Sequence, residues 1–129
     1  MTPFDAAITF CQVPDLEPVA RFYEDVLELP LVLDQGGCRI YHVQGGGYFG
    51  FCERDPEPQP ETVLLTLVTD DVDGWHEKLV AAGTTVDQSP RHNDEYKITH
   101  AFYRDPAGYR VEIQRFDDPN WAGKPVHGE

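Results

Sequence analysis

The chain has 129 residues, of which 40% are hydrophobic, and this composition suits one folded domain with an ordinary core. Its formal net charge is −13, from 23 acidic and 10 basic side chains, so it repels phosphate backbones and anionic lipids. We therefore predict no nucleic-acid partner and no membrane partner. No apolar run approaches the length of a membrane span, and the first residues are not typical of a secretory signal, so we expect a cytoplasmic protein.

The chain contains three cysteines, Cys11, Cys38 and Cys52, all within strand-like segments. They are too few and too scattered for a disulfide framework, and no CxxC pair occurs. We expect reduced thiols in a cytosolic protein.

Apolar residues at helical spacing predict a first helix that Asp15 caps at its N-terminus. These residues are Leu16, Val19, Ala20, Tyr23, Val26 and Leu27. Pro18 falls in the first turn, where its missing N–H matters little, and Pro30 marks the exit. A second helix, capped by Asp70 or Asp71, presents Val72, Trp75, Leu79 and Ala82 on one face and ends at Gly83.

One strand-like run precedes each helix, and three follow it, separated by turn signals rich in glycine. The predicted strands are Ala6–Val13, Leu31–Asp34, Cys38–Val43 and Tyr48–Glu53, then Val63–Thr69, Thr84–Asp87, Ile98–Arg104 and Tyr109–Phe116. The charged segment Gln88–Lys97 is predicted to be a loop, either a lid over a ligand groove or an ordinary solvated connection.

The element order β-α-β-β-β therefore occurs twice, which indicates an internal duplication. We predict a single domain made of module one (4–54), a Pro-rich linker (55–60), module two (61–116) and a tail (117–129). Each module has one sheet whose apolar face needs a partner, so a groove between the modules is the natural ligand site.

Short motifs in this order resemble the glyoxalase/bleomycin resistance protein/dioxygenase superfamily, also called the vicinal-oxygen-chelate superfamily. They are Asp15-Leu16 leading to Phe22-Tyr23, Asp70-Asp71-Val72 with Trp75 and Ala82-Gly83, and the closing segment from Phe102 to Ile113. The resemblance implies an α+β fold with two βαβββ modules that form a curved mixed-sheet half-barrel groove. It also implies a homodimer, because members of this superfamily commonly pair modules across subunits.

Metal-dependent members of this superfamily place four ligands in the first and last strands of the two modules. The resemblance puts these ligands at Ile8, Phe51, Val63 and Glu112, and only Glu112 offers a donor to a hard divalent ion. We therefore predict no metal and no other cofactor, and a bleomycin-resistance-like protein that binds a small molecule. The alternative is a lyase, isomerase or dioxygenase-like enzyme that uses His100 and Glu112, with or without an atypical metal.

Strand alternation predicts which side chains line the groove. If Glu112 faces it, Arg110 and Gln114 do so too, and His100 and Phe102 are their counterparts in the preceding strand. The remaining candidates are Ile8, Phe10, Gln12, Arg39, Tyr41, Phe51, Val63, Leu65 and Leu67. This mixture of apolar and aromatic residues with a few polar groups is typical of small-molecule sites.

Two predicted features of the groove have more than one interpretation. His100 and Glu112 form either a general acid–base pair or a hydrogen-bonded pair without chemistry. Arg39 either recognises an anionic ligand group or forms an internal salt bridge to Glu112 or Glu53, and Arg110 carries the same two alternatives.

Overall fold

The computed structural model describes residues 2–55 and 60–121. Most of the predicted linker and tail lies outside the described residues. The strands are β1 (Ala7–Val13), β2 (Leu31–Asp34), β3 (Cys38–Gln44), β4 (Gly47–Glu53), β5 (Leu64–Val68), β6 (Thr85–Asn93), β7 (Ile98–Arg104) and β8 (Arg110–Phe116). Helix α1 (Leu16–Arg21) continues into a π-helical turn (Phe22–Val26). A short 3-10 turn (Pro60–Thr62) and helix α2 (Val72–Ala81) follow later in the chain.

The strands form two four-stranded sheets of identical topology, with orders β1-β4-β3-β2 and β5-β8-β7-β6. In each sheet the first strand runs parallel to the last, and the other pairs are antiparallel. A helix follows the first strand in both cases. The predicted α+β class and the repeated βαβββ order are therefore confirmed.

Both predicted helix starts are confirmed by aspartate caps. The Asp15 carboxylate accepts a hydrogen bond from the Glu17 N–H at 3.2 Å, and the Asp71 carboxylate accepts one from the Gly74 N–H at 3.0 Å. After α2, Gly83 adopts a positive φ of 80°, the left-handed conformation expected just beyond a helix. Within the described residues, no helix is both long enough and apolar enough to cross a membrane.

The chain divides into two compact units, residues 1–63 with 105–109, and residues 64–104 with 110–129. In the first unit, α1 and its π-helical turn pack on one face of the β1–β4 sheet. Tyr23 is fully buried there, and its ring stacks on Phe51 with 4.3 Å between the centroids. The other buried residues of this core include Cys11, Val13, Leu16, Val19, Tyr41 and Phe49.

The second unit has the same arrangement, with α2 against one face of the β5–β8 sheet. Leu79 of α2 is fully buried, as are Tyr103 and Val111 of the sheet, while Leu65 and Ile113 are almost fully buried. The His76 Nδ1 atom on α2 lies 2.7 Å from the Tyr103 hydroxyl oxygen, so a polar contact accompanies the apolar packing.

The prediction that residues 88–97 form a loop was wrong for its first half. Strand β6 continues to Asn93 and pairs with β7 as far as Ile98. Two irregularities in the register, on either side of Gln88, interrupt its alternation and so hide the strand in the sequence. Pro90 is tolerated because β6 is an edge strand.

The prediction of reduced thiols was wrong for two of the three cysteines. Cys38 and Cys52 are directly opposite each other on β3 and β4, and they form a disulfide. Their separation in sequence gives no spacing signal, because only the register of the two strands brings them together. Cys11 is free and buried, and burial raises the pKa of its thiol to about 11.

The turn Asp105–Tyr109, which connects β7 to β8, belongs to the first unit. The buried Tyr23 hydroxyl donates a hydrogen bond to the Asp105 carboxylate at 2.7 Å. The Asp105 carboxylate also accepts from the backbone N–H groups of Ala107 and Tyr109, both at 2.9 Å. Gly108 has a φ of 92°, which lets the turn close tightly around this carboxylate.

Candidate functional site

Three polar side chains of the second unit form a connected cluster on the face of the sheet opposite α2. The Glu112 Oε2 atom lies 2.6 Å from His100 Nδ1, and the Thr66 hydroxyl donates to Glu112 Oε1 at 2.8 Å. The three residues come from neighbouring strands. Thr66 of β5 pairs with Glu112 of β8, and His100 of β7 lies two residues before Phe102, which pairs with Glu112 from the other side. The structure therefore brings together the His100 and Glu112 side chains that the sequence singled out.

This cluster is shielded from solvent, with side-chain exposures of 12% for His100 and 7% for Glu112. A hydrogen bond between ionisable groups is stronger where water does not compete for either partner. Since an ionised carboxylate only accepts, His100 donates through Nδ1, and a neutral ring then keeps Nε2 as an acceptor. The contact therefore fixes the orientation of the imidazole and favours the tautomer with the proton on Nδ1.

An aromatic and a cationic side chain lie beside the cluster on the same face. The Phe102 ring packs edge-on against His100, with 4.9 Å between the ring centroids. The Arg110 guanidinium carbon lies 4.5 Å from the centroid of the Phe102 ring, which is cation–π geometry. Gln114 follows on the same face of β8 and is buried.

The sequence assigned the wrong residues of β5 to the face that carries Glu112. Leu65 pairs with Val111 and is buried on the α2 side of the sheet, and Leu67 has the same alternation. Val63 precedes β5. The face of Glu112 instead carries Leu64, Thr66 and Val68, and sequence reasoning missed the hydrogen bond from Thr66 to Glu112. A polar residue within the apolar run Leu64–Val68 was the available signal.

In the first unit, Ile8, Phe10 and Gln12 lie together on one face of β1, as predicted. Ile8 and Phe10 are 41% and 56% exposed, and the Phe10 ring covers the backbone of Gly50 so closely that a larger residue there would collide with it. We expected Arg39, Tyr41 and Phe51 on this same face, and that was wrong. The register pairs Arg39 with Phe51, and both lie on the side of the sheet that packs against α1.

The contacts of Arg39 and Tyr41 explain their orientation. The Arg39 guanidinium forms ion pairs with Glu17 at 3.4 Å and Asp34 at 3.7 Å, so its partners are not the predicted Glu53 or Glu112. The Tyr41 hydroxyl donates to the Glu24 carboxylate at 2.7 Å. Burial and this hydrogen bond raise the pKa of Tyr41. Both side chains therefore have partners within the first unit.

The four positions that the superfamily uses for metal ligands do not provide a fitting donor set. Phe51 lies on the helix side of its strand, and the β4 residues on the face of Ile8 are Tyr48, Gly50 and Cys52. On β5, Leu64 and Thr66 share the face of Glu112, and both Glu112 oxygens already accept hydrogen bonds. Within residues 2–55 and 60–121, no group of three or more His, Cys, Asp or Glu side chains is placed to hold a metal ion.

Comparison with known proteins identifies the family. The model of the Glyoxalase/Bleomycin resistance protein/Dioxygenase superfamily matches residues 7–113. The chain belongs to this superfamily, and the resemblance recognised from its motifs is confirmed. No curated protein matches the sequence.

Several solved structures share the fold at low sequence identity. An integron cassette protein from Halifax Harbour sewage outfall has a TM-score of 0.76 at 17% identity, over 86% of this chain and 97% of the other. Lactoylglutathione lyase from Agrobacterium tumefaciens has a TM-score of 0.72 at 23% identity, over 93% and 100%. A glyoxalase-related enzyme from Fulvimarina pelagi has a TM-score of 0.75 at 21% identity, over 90% and 89%. At these identities the likeness concerns the fold alone.

Proposed function

We propose that this superfamily member binds a small molecule without a metal ion, as bleomycin-resistance-like proteins do. The observation that carries the proposal is the face of β5, β7 and β8 around Glu112. Its polar groups are few and positioned by hydrogen bonds, and apolar side chains (Leu64, Val68 and Phe102) surround them. Small-molecule sites are generally built in this way.

The hydrogen bonds of Glu112 support the metal-free part of the proposal. A divalent ion needs several oxygen or nitrogen donors, and the positions that match the family's ligands offer chiefly hydrocarbon groups. A metal bound to Glu112 would have to displace Thr66 or His100 from the carboxylate. We infer that Glu112 positions His100 for contact with a ligand.

The second candidate function is an enzyme that uses His100 and Glu112, which the 2.6 Å contact between them favours. With Nδ1 donating to the carboxylate, His100 Nε2 would take a proton from a bound substrate, and Glu112 would stabilise the resulting imidazolium. Two of the similar solved structures are described as a lactoylglutathione lyase and a glyoxalase-related enzyme, so lyase chemistry is the first to assay.

Thermal-shift screening of the purified protein against planar, aromatic and anionic compounds tests the proposal. Binding stabilises the folded state by an amount that grows with the logarithm of the free ligand concentration above Kd, so a true ligand raises the melting temperature with concentration. Phe102→Ala should abolish the shift, whereas Tyr96→Ala, at a 65% exposed residue in the turn between β6 and β7, should keep it. No shift with any compound would contradict a binding function.

Elemental analysis of the purified protein tests whether it binds a metal ion, which neither candidate function requires. We expect less than a stoichiometric amount of zinc, manganese, nickel or iron in the purified protein. A stoichiometric metal that is lost in Glu112→Ala would refute the metal-free proposal, because it would make Glu112 a ligand.

We also propose a homodimer without nucleic-acid or membrane partners. The exposed apolar side chains of Leu31, Val32 and Leu33 on the edge strand β2 support self-association, and the net charge of −13 opposes binding to polyanions. The proposed location is cytoplasmic. The Cys38–Cys52 disulfide is the feature that bears against it, since such bonds persist mainly in oxidising compartments.

A further inference from the structure

Arg110 is a half-buried residue whose Nε atom has no hydrogen-bond acceptor within the described residues. In the described part of the chain, that atom is buried and has no hydrogen-bond partner. A buried polar group without a partner is rare in native proteins, because it loses its bonds to water and gains nothing in exchange. The Nε–H group is therefore available to donate to a ligand that binds beside it.

Two other arginines of the described structure have a carboxylate acceptor at their Nε atom. Arg104 donates from Nε to Asp87 at 2.7 Å, and Arg115 donates from Nε to Asp117 at 2.8 Å. The buried Nε of Arg39 also lacks a hydrogen bond, but it lies 3.7 Å from the Asp34 carboxylate. Among residues 2–55 and 60–121, none of the ion pairs involves Arg110, although acidic side chains outnumber basic ones by 23 to 10 in the whole chain.

The surroundings of Arg110 define what it would recognise. Its guanidinium rests on Phe102 and need not break a hydrogen bond at Nε to turn toward an incoming anion. Glu112, a carboxylate on the same face of β8, already accepts from Thr66 and His100. Leu64, 44% exposed and paired with Arg110, adds an apolar contact surface beside the charge.

We propose that the ligands of this protein are organic carboxylates with an apolar, aromatic body, and that Arg110 binds their carboxylate group. The planar guanidinium matches a carboxylate through two parallel N–H donors, which a lysine cannot reproduce. This inference rests on the proposed small-molecule binding function and names the ligand class of the same site.

Calorimetric titration with matched acids and amides tests the inference. The probes are benzoate with benzamide, 4-hydroxybenzoate with its amide, and 2-naphthoate with its amide, so that each pair differs only in charge. We expect at least one acid to bind about tenfold or more tightly than its amide, as a charge-assisted hydrogen bond implies. Arg110→Gln should remove this preference, and Arg110→Lys should keep only part of it.

Arg115→Gln is the matched control, because it removes the same charge at a residue on the opposite face of β8. It should keep the preference for the acid, and circular dichroism should show that all variants fold. Amides that bind as tightly as their acids, or a preference that survives Arg110→Gln, would overturn the inference and leave the binding function standing. If no probe binds, and the wider thermal-shift screen also finds no ligand, both proposals fail.

Discussion

At the scale of single residues, the hydrogen bond between Tyr23 and Asp105 is the clearest link between a side chain and stability. Both groups are buried, and they lie 82 positions apart in the sequence. Burial, followed by the charge of Asp105, raises the pKa of Tyr23 well above its ordinary value, so the hydroxyl stays a donor. Loss of the Tyr23 hydroxyl would leave the Asp105 carboxylate with one hydrogen-bond donor fewer, and because the carboxylate is buried, water would not readily replace that donor.

We expect Tyr23→Phe to lower the free energy of unfolding by about 1–3 kcal/mol, the cost of leaving a buried partner unsatisfied. Urea denaturation followed by circular dichroism measures this change. Tyr96→Phe is the control, because Tyr96 is 65% exposed, and it should alter the stability by less than about 0.5 kcal/mol. Equal stabilities for the two variants would contradict the assigned role of Tyr23.

Asp105 should make stability depend on pH in a defined direction. Burial raises the pKa of its carboxyl group above the ordinary 3.8, although the hydrogen bonds from Tyr23 and the turn backbone oppose that shift. The folded state then holds the proton more tightly than the unfolded state does. Its contribution to stability is therefore largest below the unfolded pKa and is lost as the pH rises through the folded pKa.

We predict that the stability of the wild type, relative to Asp105→Asn, falls as the pH rises above the ordinary carboxyl pKa of 3.8, since only the carboxyl group titrates. Unfolding in urea at a series of pH values provides the measurement. A relative stability that rises with pH would mean that the carboxyl pKa is lowered on folding, contrary to this account.

At the scale of elements, Asp71 caps the N-terminus of α2, and the neighbouring Asp70 provides a control for its role. The sequence left Asp70 and Asp71 as alternative caps, and the structure assigns the role to Asp71. We expect Asp71→Ala to lower the free energy of unfolding by about 1 kcal/mol, because the Gly74 N–H loses its acceptor. Asp70→Ala removes the same charge one residue earlier and should change stability much less. Chemical denaturation of the pair decides between them.

The disulfide between β3 and β4 should stabilise the first unit. It closes a short loop, with a sequence separation of 14, and so restricts the unfolded chain. In the chain-entropy treatment a loop of this size contributes about 3 kcal/mol. We expect a reductant to lower the melting temperature of the wild type but not that of a Cys38→Ala/Cys52→Ala double variant. An unchanged wild-type melting temperature would show that the bridge contributes nothing.

Strand faces could be predicted where polar and apolar residues alternate, and not elsewhere. On β8 the alternation of Arg110, Glu112 and Gln114 with buried Val111 and Ile113 gave the correct face. On β5 every residue except Thr66 is apolar, so the alternation did not indicate a face, and the single polar residue was overlooked. On β6 the register irregularities removed the pattern that would have identified a strand.

At the scale of the whole molecule, the duplicated order of elements was sufficient to predict the fold, because each repeat has its own caps and turns. Equivalent positions in the two repeats were harder to predict. The sequence analysis treated Phe51 and Glu112 as equivalent positions in the last strands of the two modules, yet Phe51 lies on the helix side of its strand and Glu112 lies on the other side. Arg39 and Tyr41 lie on the same side of the sheet as Phe51, so they were assigned to the wrong face as well.

The charge of the whole chain predicts a salt effect. With a net charge of −13, the folded state suffers self-repulsion that screening reduces. Raising sodium chloride from about 10 mM to about 150 mM shortens the Debye length from about 30 Å to about 8 Å, and exposed ion pairs lose little in exchange. We expect a higher melting temperature. Sucrose at matched osmolality is the control, and a decrease on adding salt would contradict the expectation.

The place of the Asp105–Tyr109 turn in the first unit affects how this chain can be divided. Cutting between residues 55 and 60, where the two repeats meet in sequence, would separate Tyr23 from Asp105 and Gln12 from the Tyr109 hydroxyl that donates to its carbonyl at 2.8 Å. The ancestral half that was duplicated must have obtained the same turn from a second polypeptide or done without it. Neither present-day half is therefore expected to be a self-sufficient folding unit.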